Sequence, residues 1–555
     1  MKKIYILGLV SLGMSAVTSA QTTPKDTLLN RTVVVEREYN PIIQGASKVN
    51  VLPQVEEPTL SKKEVEYVLS SMPAQAVPVS LVKPFVAKEY EPGNYPGYLR
   101  LGLGNYGNID GRGHYTFKMT KRDQLSLDVS SWGMNGKLKY ADELKWSTRY
   151  YRTEGGLKYK HQFDLADLAI WAGLGVHNFN FNRGYKLDET RLDEQFDYQA
   201  SKQNFSSGKV GFSLKSKDEF ATILYDVSSQ FSLYGRQYDF IDSDLKESLL
   251  QTKAQVWTLF DGENKAGLDV AMHNRFVNSD SIKNTTTLDL NPYYALDLDN
   301  WKLRLGAHLD LGFGYGESFL VSPDVDIQYI FSDNYVLYAR ALGGRIHSNF
   351  SRFERMSPYA LINGKNRDTY EQLNASVGFK ASPIPGLWVN IFGGFQKLKD
   401  DLYTAVDNET SLASYFSNED TKNFYGGASL RYDYKGVFHM DLSATARKWK
   451  TDGLANHALL FKPKMELQAG LYFKPIHALK VGLGYHLITR EQPTYWLGLN
   501  EVENVSNLSV NASYQLLKQI SIYGVADNLM NKKYQYYYGY PVEGINFIAG
   551  LSIQF

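Results

Sequence analysis

The 555-residue sequence has no cysteine, almost no net charge and no apolar run long enough to cross a membrane as a helix. Without cysteine there is no disulfide, no lipid-anchored cysteine and no thiolate metal site. The net charge is +1, or −1 (58 Lys and Arg against 59 Asp and Glu) once residues 1–20 are left out. A nucleic-acid partner leaves a basic footprint, and this balance predicts none.

Signs of enzymatic chemistry are equally scarce. The ten histidines are scattered singly, and none forms H-E-x-x-H or another close metal spacing. No local pattern marks a catalytic Ser–His pair. We therefore expect no catalytic residues, no metal, no cofactor and no enzyme activity. His308 and His486 fall among the polar positions of their strands, and we expect them to face the inside of a barrel rather than to bind metal.

The residues that are abundant favour β-structure in a membrane. Aromatic residues make up 14% of the chain, with 40 tyrosines and 28 phenylalanines, and there are 45 glycines. This mixture suits many strands with belts of aromatic side chains at the membrane interfaces.

Residues 1–20 have the pattern of a secretory signal. Lys2 and Lys3 form a basic start, Ile4–Met14 an apolar run and 18–20 a small-residue cleavage site. The alternative is a short anchor helix, but the run is too short to span a bilayer. An exported chain with strong β character and no helical span is expected in the outer membrane of a Gram-negative bacterium.

Residues 21–94 form a second region, rich in proline. Nine of the 18 prolines lie between Pro24 and Pro96. Because proline lacks the backbone N–H and disfavours helix before it, we expect an extended periplasmic or lumenal segment. Within it, Arg31–Glu36 has a strand-like core, which consists of Thr32, Val33, Val34 and Val35.

The last residues, Gly544–Phe555, read as a strand with one apolar face. Successive side chains of a strand alternate sides. An unpaired strand of this kind is a poor edge for a soluble sheet, so we expect it to close a barrel in lipid. The alternative is the last strand of a soluble β-sandwich. Its apolar face includes Phe547, Leu551, Ile553 and Phe555, and we expect this strand to contact the barrel-assembly machinery.

From Tyr95 onward the period of two persists. In Trp301–Phe313 every second residue is apolar or alanine, and the residues between are polar or glycine. Lipid-facing and lumen-facing rows of a transmembrane antiparallel β-barrel produce this pattern. We count 22 candidate strands over residues 95–555; sixteen or eighteen strands stay open if some runs are hairpins within loops.

The links between these strands alternate in length. After every even strand the link is short, as in Ser332–Asn334 or Tyr434–Gly436. A barrel with short periplasmic turns and longer outer loops has this alternation, and it requires an even number of strands. The longest odd links are predicted at Asn180–Gln203, His347–Thr369, Asp400–Asn423, Thr489–Val505 and Asn528–Val542.

The last outer link carries a family resemblance. Asp527–Tyr534 and the tyrosine-rich stretch after it resemble the segment before the final strand of TonB-dependent outer-membrane receptors. Arg31–Glu36 likewise resembles the coupling box that adds as a strand to TonB; a plain periplasmic strand is the alternative. The resemblance implies a 22-stranded barrel in the style of Bacteroidetes. Family members carry a globular plug domain, for which residues 21–94 are too short.

Two functions follow as hypotheses. The resemblance implies transport of a nutrient across the outer membrane, with lipids and TonB as partners. The missing plug favours instead a structural barrel that scaffolds an outer-membrane complex, for example with surface lipoproteins. Charged and aromatic outer links such as Arg367–Glu371 suit either ligand binding or packing against one another.

Overall fold

A computed structural model describes the chain from Tyr95 to Phe555 with internal gaps. The described residues are 95–139, 145–181, 202–217, 221–237, 244–260, 264–332, 334–406, 414–451, 459, 461–491 and 503–555. The signal sequence, the proline-rich segment and the coupling-box residues Thr32, Val33, Val34 and Val35 lie outside them. No helix in this described part is long and apolar enough to span a membrane.

Twenty-two antiparallel strands form one closed sheet, as the sequence predicts. They are β1 (Gly97–Gly104), β2 (Ile109–Lys118), β3 (Asp123–Lys139), β4 (Lys145–Gln162), β5 (Ala166–Asn180), β6 (Lys202–Ser216), β7 (Leu224–Arg236), β8 (Leu245–Phe260), β9 (Asn264–Val277), β10 (Thr285–Leu298), β11 (Trp301–Phe313), β12 (Phe319–Ser332), β13 (Tyr335–Ile346), β14 (Thr369–Ala381), β15 (Leu387–Val406), β16 (Ser414–Tyr434), β17 (Phe438–Thr451), β18 (Pro463–Ile476), β19 (Leu479–Arg490), β20 (Val505–Gln515), β21 (Ile520–Asp527) and β24 (Asn546–Gln554). Two further elements are not part of the barrel wall. They are helix α1 (Phe350–Met356) and the small hairpin of β22 (Gln535–Tyr537) and β23 (Tyr540–Pro541).

The terminal strand closes the barrel. β24 pairs with β21 on one side and with β1 on the other, so that Leu551 lies opposite both Ile522 and Leu101. Two backbone hydrogen bonds join Gly97 to Phe555 at the end of this seam. Every barrel strand therefore has two partners and no edge is left in the sheet, which is the condition for strands in lipid.

The two faces of the wall follow the predicted alternation. On β24, Phe547 and Leu551 are 57% and 50% exposed on the outside, whereas Ser552 faces inward and is 5% exposed. On β11, Trp301 and Leu305 face outward, while Arg304 and His308 bond to carboxylates inside. His308 and His486 both lie on the lumenal side, each beside a carboxylate. The outer face is thus an apolar belt suited to lipid.

This assignment predicts a different response at neighbouring positions of β7. Phe231 faces outward and is 40% exposed, and Ser228 belongs to the opposite face. Phe231→Arg should lower the free energy of unfolding by about 2–4 kcal/mol, because a guanidinium then lies in lipid. Ser228→Arg, the matched control, should change it little. Denaturant unfolding in lipid vesicles measures both, and equal losses would contradict the assignment of faces.

The lengths of the links confirm the alternation, with one correction. Links after even strands hold two to seven residues, and the links after β5, β13, β19 and β21 are much longer. The prediction of a loop over Asp400–Asn423 is wrong, since β15 and β16 continue to Val406 and from Ser414. Leu402 and Phe416 are almost completely buried, and their inward apolar contacts stabilise the longer hairpin.

Candidate functional site: a segment that crosses the lumen

Residues 347–368, the link between β13 and β14, contain a short helix. Asn349 begins it, and its side-chain oxygen accepts a hydrogen bond from the Arg352 backbone N–H at 2.9 Å. Phe350, Phe353 and Met356 follow at intervals of three and lie on one helical face. All three are buried, with at most 5% of their surface exposed. We call residues 347–368 the crossing segment.

One side of the barrel wall holds the crossing segment through inward-facing polar side chains. Glu247 on β8 accepts hydrogen bonds from the Phe350 backbone N–H at 3.1 and 3.2 Å. His177 on β5 contacts the Glu354 carboxylate at 2.5 Å. These contacts join the outer ends of two wall strands to the helix, so the helix lies inside the lumen.

Further bonds extend this contact along the wall. Arg236 on β7 donates to the Ala360 carbonyl at 2.8 Å. Arg275 on β9 donates to the Ser348 carbonyl, and Arg152 on β4 lies 4.0 Å from Glu354. All three come from positions whose side chains point into the barrel. The segment thus lies along the wall from β4 to β9.

The outer end of β16 also holds this segment, by backbone pairing. The Leu361 N–H donates to the Ser414 carbonyl, and the Phe416 N–H donates to the Leu361 carbonyl, both at 2.9 Å. Ser414 and Phe416 belong to β16. Arg236 on β7 bonds to Ala360, the residue before Leu361, so β7 and the outer end of β16 meet the segment at the same point. The segment leaves the wall between β13 and β14 and reaches β5; seven strands lie between β5 and β13 in the 22-strand ring, so the segment crosses part of the lumen.

An apolar cluster fills the space around the helix. It joins side chains of β6, β8 and the β15–β16 hairpin to the crossing segment. Its buried members are Phe205, Leu245, Ile282, Phe350, Phe353, Met356, Ala360, Ile362, Leu402 and Phe416. Burying so many large side chains inside the barrel stabilises the segment in this position.

Asp368 ties the two ends of the crossing segment together. Its carboxylate accepts a hydrogen bond from the Ser348 N–H at 2.8 Å and lies 3.1 Å from the His347 ring. Burial raises the pKa of Asp368, but His347, Arg275 and the Ser348 N–H outweigh it, so the pKa lies below its usual value. The carboxylate is therefore ionised at neutral pH and holds the base of the segment closed.

The last outer link folds against the crossing segment. Asn528 and Asn531 adopt positive φ values of 50° and 49°, a region that asparagine tolerates. The Asn528 amide donates to the Lys532 and Glu543 carbonyls at 2.9 and 2.8 Å. These bonds shape the Asp527–Tyr534 motif and present the β22–β23 hairpin to the lumen.

A second apolar cluster joins this hairpin to the crossing segment and to side chains of β3, β4, β5, β19 and β20. Tyr540 stacks on Tyr359 of the crossing segment with ring centroids 3.4 Å apart. The cluster contains Met134, Leu138, Tyr150, Phe179, Phe181, Tyr359, Ile488, Val505, Tyr534, Tyr536, Tyr537 and Tyr540. The outer links therefore pack on one another inside the barrel, which agrees with one of the two interpretations of their composition.

The sequence-predicted residues lie elsewhere. Phe547, Leu551, Ile553 and Phe555 belong to the closing seam and to the outer belt, and the Thr32–Val35 peptide is outside the described residues. The anchors Glu247, His177 and Arg236 were not predicted from the sequence. The available signal was Asn349 followed by apolar residues at helical spacing within a long link. Within the described residues no group of three or more His, Asp or Glu side chains is arranged to hold a metal ion.

The Glu247 contact makes a testable prediction. Glu247→Ala leaves the buried Phe350 N–H without its acceptor, which costs about 1–3 kcal/mol. We expect amide hydrogen exchange in the crossing segment to rise roughly 5- to 150-fold while the barrel strands stay protected. Glu247→Gln keeps an acceptor and should lose much less protection. Unchanged exchange in the alanine variant would show that this bond does not hold the helix.

No protein-family model and no curated protein sequence matches this chain. Solved structures do resemble it. The copper transporter OprC is 12% identical with a TM-score of 0.62, covering 85% of this chain and 81% of that one. The FrpB iron transporter from Neisseria meningitidis (F5-1 variant, apoprotein) is 11% identical with a TM-score of 0.65, covering 84% and 82%.

A receptor with its ligand bound is also similar. The pyoverdine outer-membrane receptor FpvA from Pseudomonas aeruginosa PAO1, bound to pyoverdine, is 13% identical with a TM-score of 0.61, covering 84% of this chain and 79% of that one. At these identities the comparisons show a shared fold: the chain has the closed 22-strand barrel of outer-membrane transporters and receptors.

Proposed function

We propose that this chain is an outer-membrane uptake barrel whose lumen is obstructed by the crossing segment and opens when that segment moves. The observation that carries the proposal is the path of residues 347–368 from β13 and β14 across to β5 and β7. Barrels of 22 strands are wide enough to need a plug. The segment is held by side-chain bonds, apolar packing and one backbone bridge at Leu361, none of which belongs to the ladders between wall strands, so these ladders stay intact if it moves.

The similar solved structures support uptake as the general function. They are described as a copper transporter, an iron transporter and a pyoverdine receptor, and they belong to the TonB-dependent class that the last link resembles. The scaffold hypothesis has no such support. For this chain we propose a nutrient as cargo, outer-membrane lipid around the belt, and the assembly machinery as the partner that recognises β24.

Energy coupling through the N-terminal region belongs to the proposal. Residues 1–20 are the proposed signal sequence and 21–94 the periplasmic or lumenal segment. Within it, Thr32, Val33, Val34 and Val35 would add as a strand to an exposed edge of TonB, as extended peptides do in other complexes.

Pull-down of the full-length protein with the periplasmic domain of TonB tests the coupling. We expect retention of the wild-type chain and loss of retention when Thr32–Val35 are deleted, while a deletion of four residues at 70–73 serves as the matched control. Retention that is equal in both deletions would overturn coupling through this peptide. Purification in fixed ratio with surface lipoproteins, without TonB binding, would instead favour the scaffold.

A further inference from the structure

One lumenal wall carries lysines for which the described part of the chain supplies no carboxylate partner. Lys158 and Lys160 on β4, Lys209 on β6 and Lys253 on β8 are exposed on the inward side of their strands. The inward parity is fixed by Tyr150, Phe205 and Leu245, which are buried in the lumenal clusters on the same strands. Among the described residues, none of the four lysines forms an ion pair. We call these four residues the lysine wall.

Several other lumenal charges are ion-paired, in contrast to the lysine wall. On the far side, Arg304 bonds to Asp269 and Asp324 at 2.9 and 2.8 Å, and Arg340 bonds to Asp326 at 2.6 Å. The lumenal carboxylates on the strands around the lysine wall have other cationic partners.

Four of these carboxylates lie on β3, β4, β5 and β7. Asp128 is 2.6 Å from His114, Glu154 is 2.7 Å from Arg152, Asp167 is 2.7 Å from Lys217, and Asp226 is 4.0 Å from Lys215. None of them neutralises a member of the lysine wall. The wall therefore presents four compact positive charges to the lumen, where a low-dielectric surround strengthens their field.

The strand register places these charges around a flat aromatic surface. Lys158 is directly opposite Trp171 on β5, and Trp171 is opposite Gly211 on β6. A β-carbon at Gly211 would lie 2.6 Å from the indole, so the ring packs directly against the glycine and needs its missing side chain. The Trp171 N–H donates to the Gln230 side chain at 2.9 Å, which fixes the ring's orientation.

Small residues leave open space on the sheet surface between the lysines. A β-carbon at Gly173 would meet the Lys209 side chain at 2.8 Å, so that this side chain lies along the sheet. Between Lys160 and Lys253, the cross-strand row runs through Ala169, Ser213 and Ser228. With strands about 4.8 Å apart, four steps make an open strip of roughly 19 Å.

From this arrangement we infer that the lysine wall and Trp171 bind a solute that carries several phosphate, sulfate or carboxylate groups on a ring. Ammonium groups pair with the anionic groups, and the indole stacks on the ring face. The inference rests on the proposed uptake function, because it names the class of solute that passes along the lumen.

Calorimetric titration of the full-length protein in detergent tests the inference with two probes, sucrose octasulfate and inorganic tripolyphosphate. We expect both to bind at low salt and to weaken as salt rises. Lys158→Gln and Lys209→Gln should each weaken both probes by roughly tenfold. Lys121→Gln and Lys435→Gln, which lie in the short turns, are the matched controls and should leave binding unchanged.

Trp171→Ala separates ring recognition from charge alone. It should weaken sucrose octasulfate several-fold and leave tripolyphosphate nearly unchanged, since only the sugar has a ring to stack. Equal loss for both probes would overturn ring recognition. Absent binding, or binding that the lysine variants leave unaltered, would overturn the inference. Neither result depends on TonB, so it is distinguishable from failure of the coupling experiment.

Discussion

Replacement of residues 348–367 by a short Gly-Ser linker is expected to raise the single-channel conductance of the barrel by roughly tenfold or more, to that of an open porin. The crossing segment contributes no rung to the ladders of the barrel wall between β1 and β14. Its removal therefore takes out the helix and its bonds to β5, β7, β8 and β16, while the 22-strand ring stays paired. Planar-bilayer recording of the purified protein measures the change.

A matched deletion shows whether the position of the segment matters. Removing residues 183–200 from the β5–β6 link takes out a similar number of residues and should not open the lumen to the same extent. If the barrel lacking residues 348–367 conducts no better than this control, the crossing segment does not obstruct the lumen. Heat-modifiable migration on gels checks that both variants are folded barrels.

Deletion of the terminal strand, Asn546–Phe555, is expected to abolish folding of the barrel. β24 forms ladders with both β1 and β21. Without it, two strand edges face lipid, where each unsatisfied backbone group costs several kcal/mol. We expect no heat-modifiable band and no protease-resistant core, which gel mobility and limited proteolysis measure.

Single substitutions within β24 provide the control. Gln554→Ala alters a lumenal side chain beside the seam and should leave assembly intact. Leu551→Asp places a charge on the lipid face and should reduce the folded fraction, though less than the deletion does. A truncated chain that still yields a resistant, closed barrel would contradict the role of β24 as the closing strand.

The barrel was predictable because the alternation of apolar and polar side chains that marks its wall is visible within each single strand. A strand in lipid needs one apolar face, so the parity of Trp301–Phe313 and of Gly544–Phe555 reports the wall directly. The even–odd alternation of link lengths required an even number of strands, and the count of candidate strands gave 22 with sixteen or eighteen left open. The misassigned Asp400–Asn423 shows the limit: polar residues extend β15 and β16 past the membrane belt, where alternation no longer separates lipid from water.

The lumenal site was not predictable, because it is assembled from distant parts of the chain. His177 and Glu354, or Glu247 and Phe350, meet only after the ring has closed. An inward polar residue looks the same in sequence whether it faces water, a helix or a solute. The glycines beneath Trp171 and Lys209 likewise acquire meaning only from the register between β5 and β6.

The absence of natural cysteine allows one direct measurement of obstruction. Ser228→Cys on β7 places a single thiol in the lumen, eight residues, or roughly 26 Å, from Arg236 at the crossing segment. Intact cells are treated with a large polyethylene-glycol maleimide that does not cross the outer membrane. Asp280→Cys, in the exposed β9–β10 link, is the accessible control and should react in every background.

We predict that Cys at position 228 stays unlabelled in the full-length protein and reacts once residues 348–367 are replaced by the linker. That result would show that the crossing segment separates the outside from the lumen. Labelling at the same rate with and without the segment would contradict the account, because the lumen would then be open past residues 347–368.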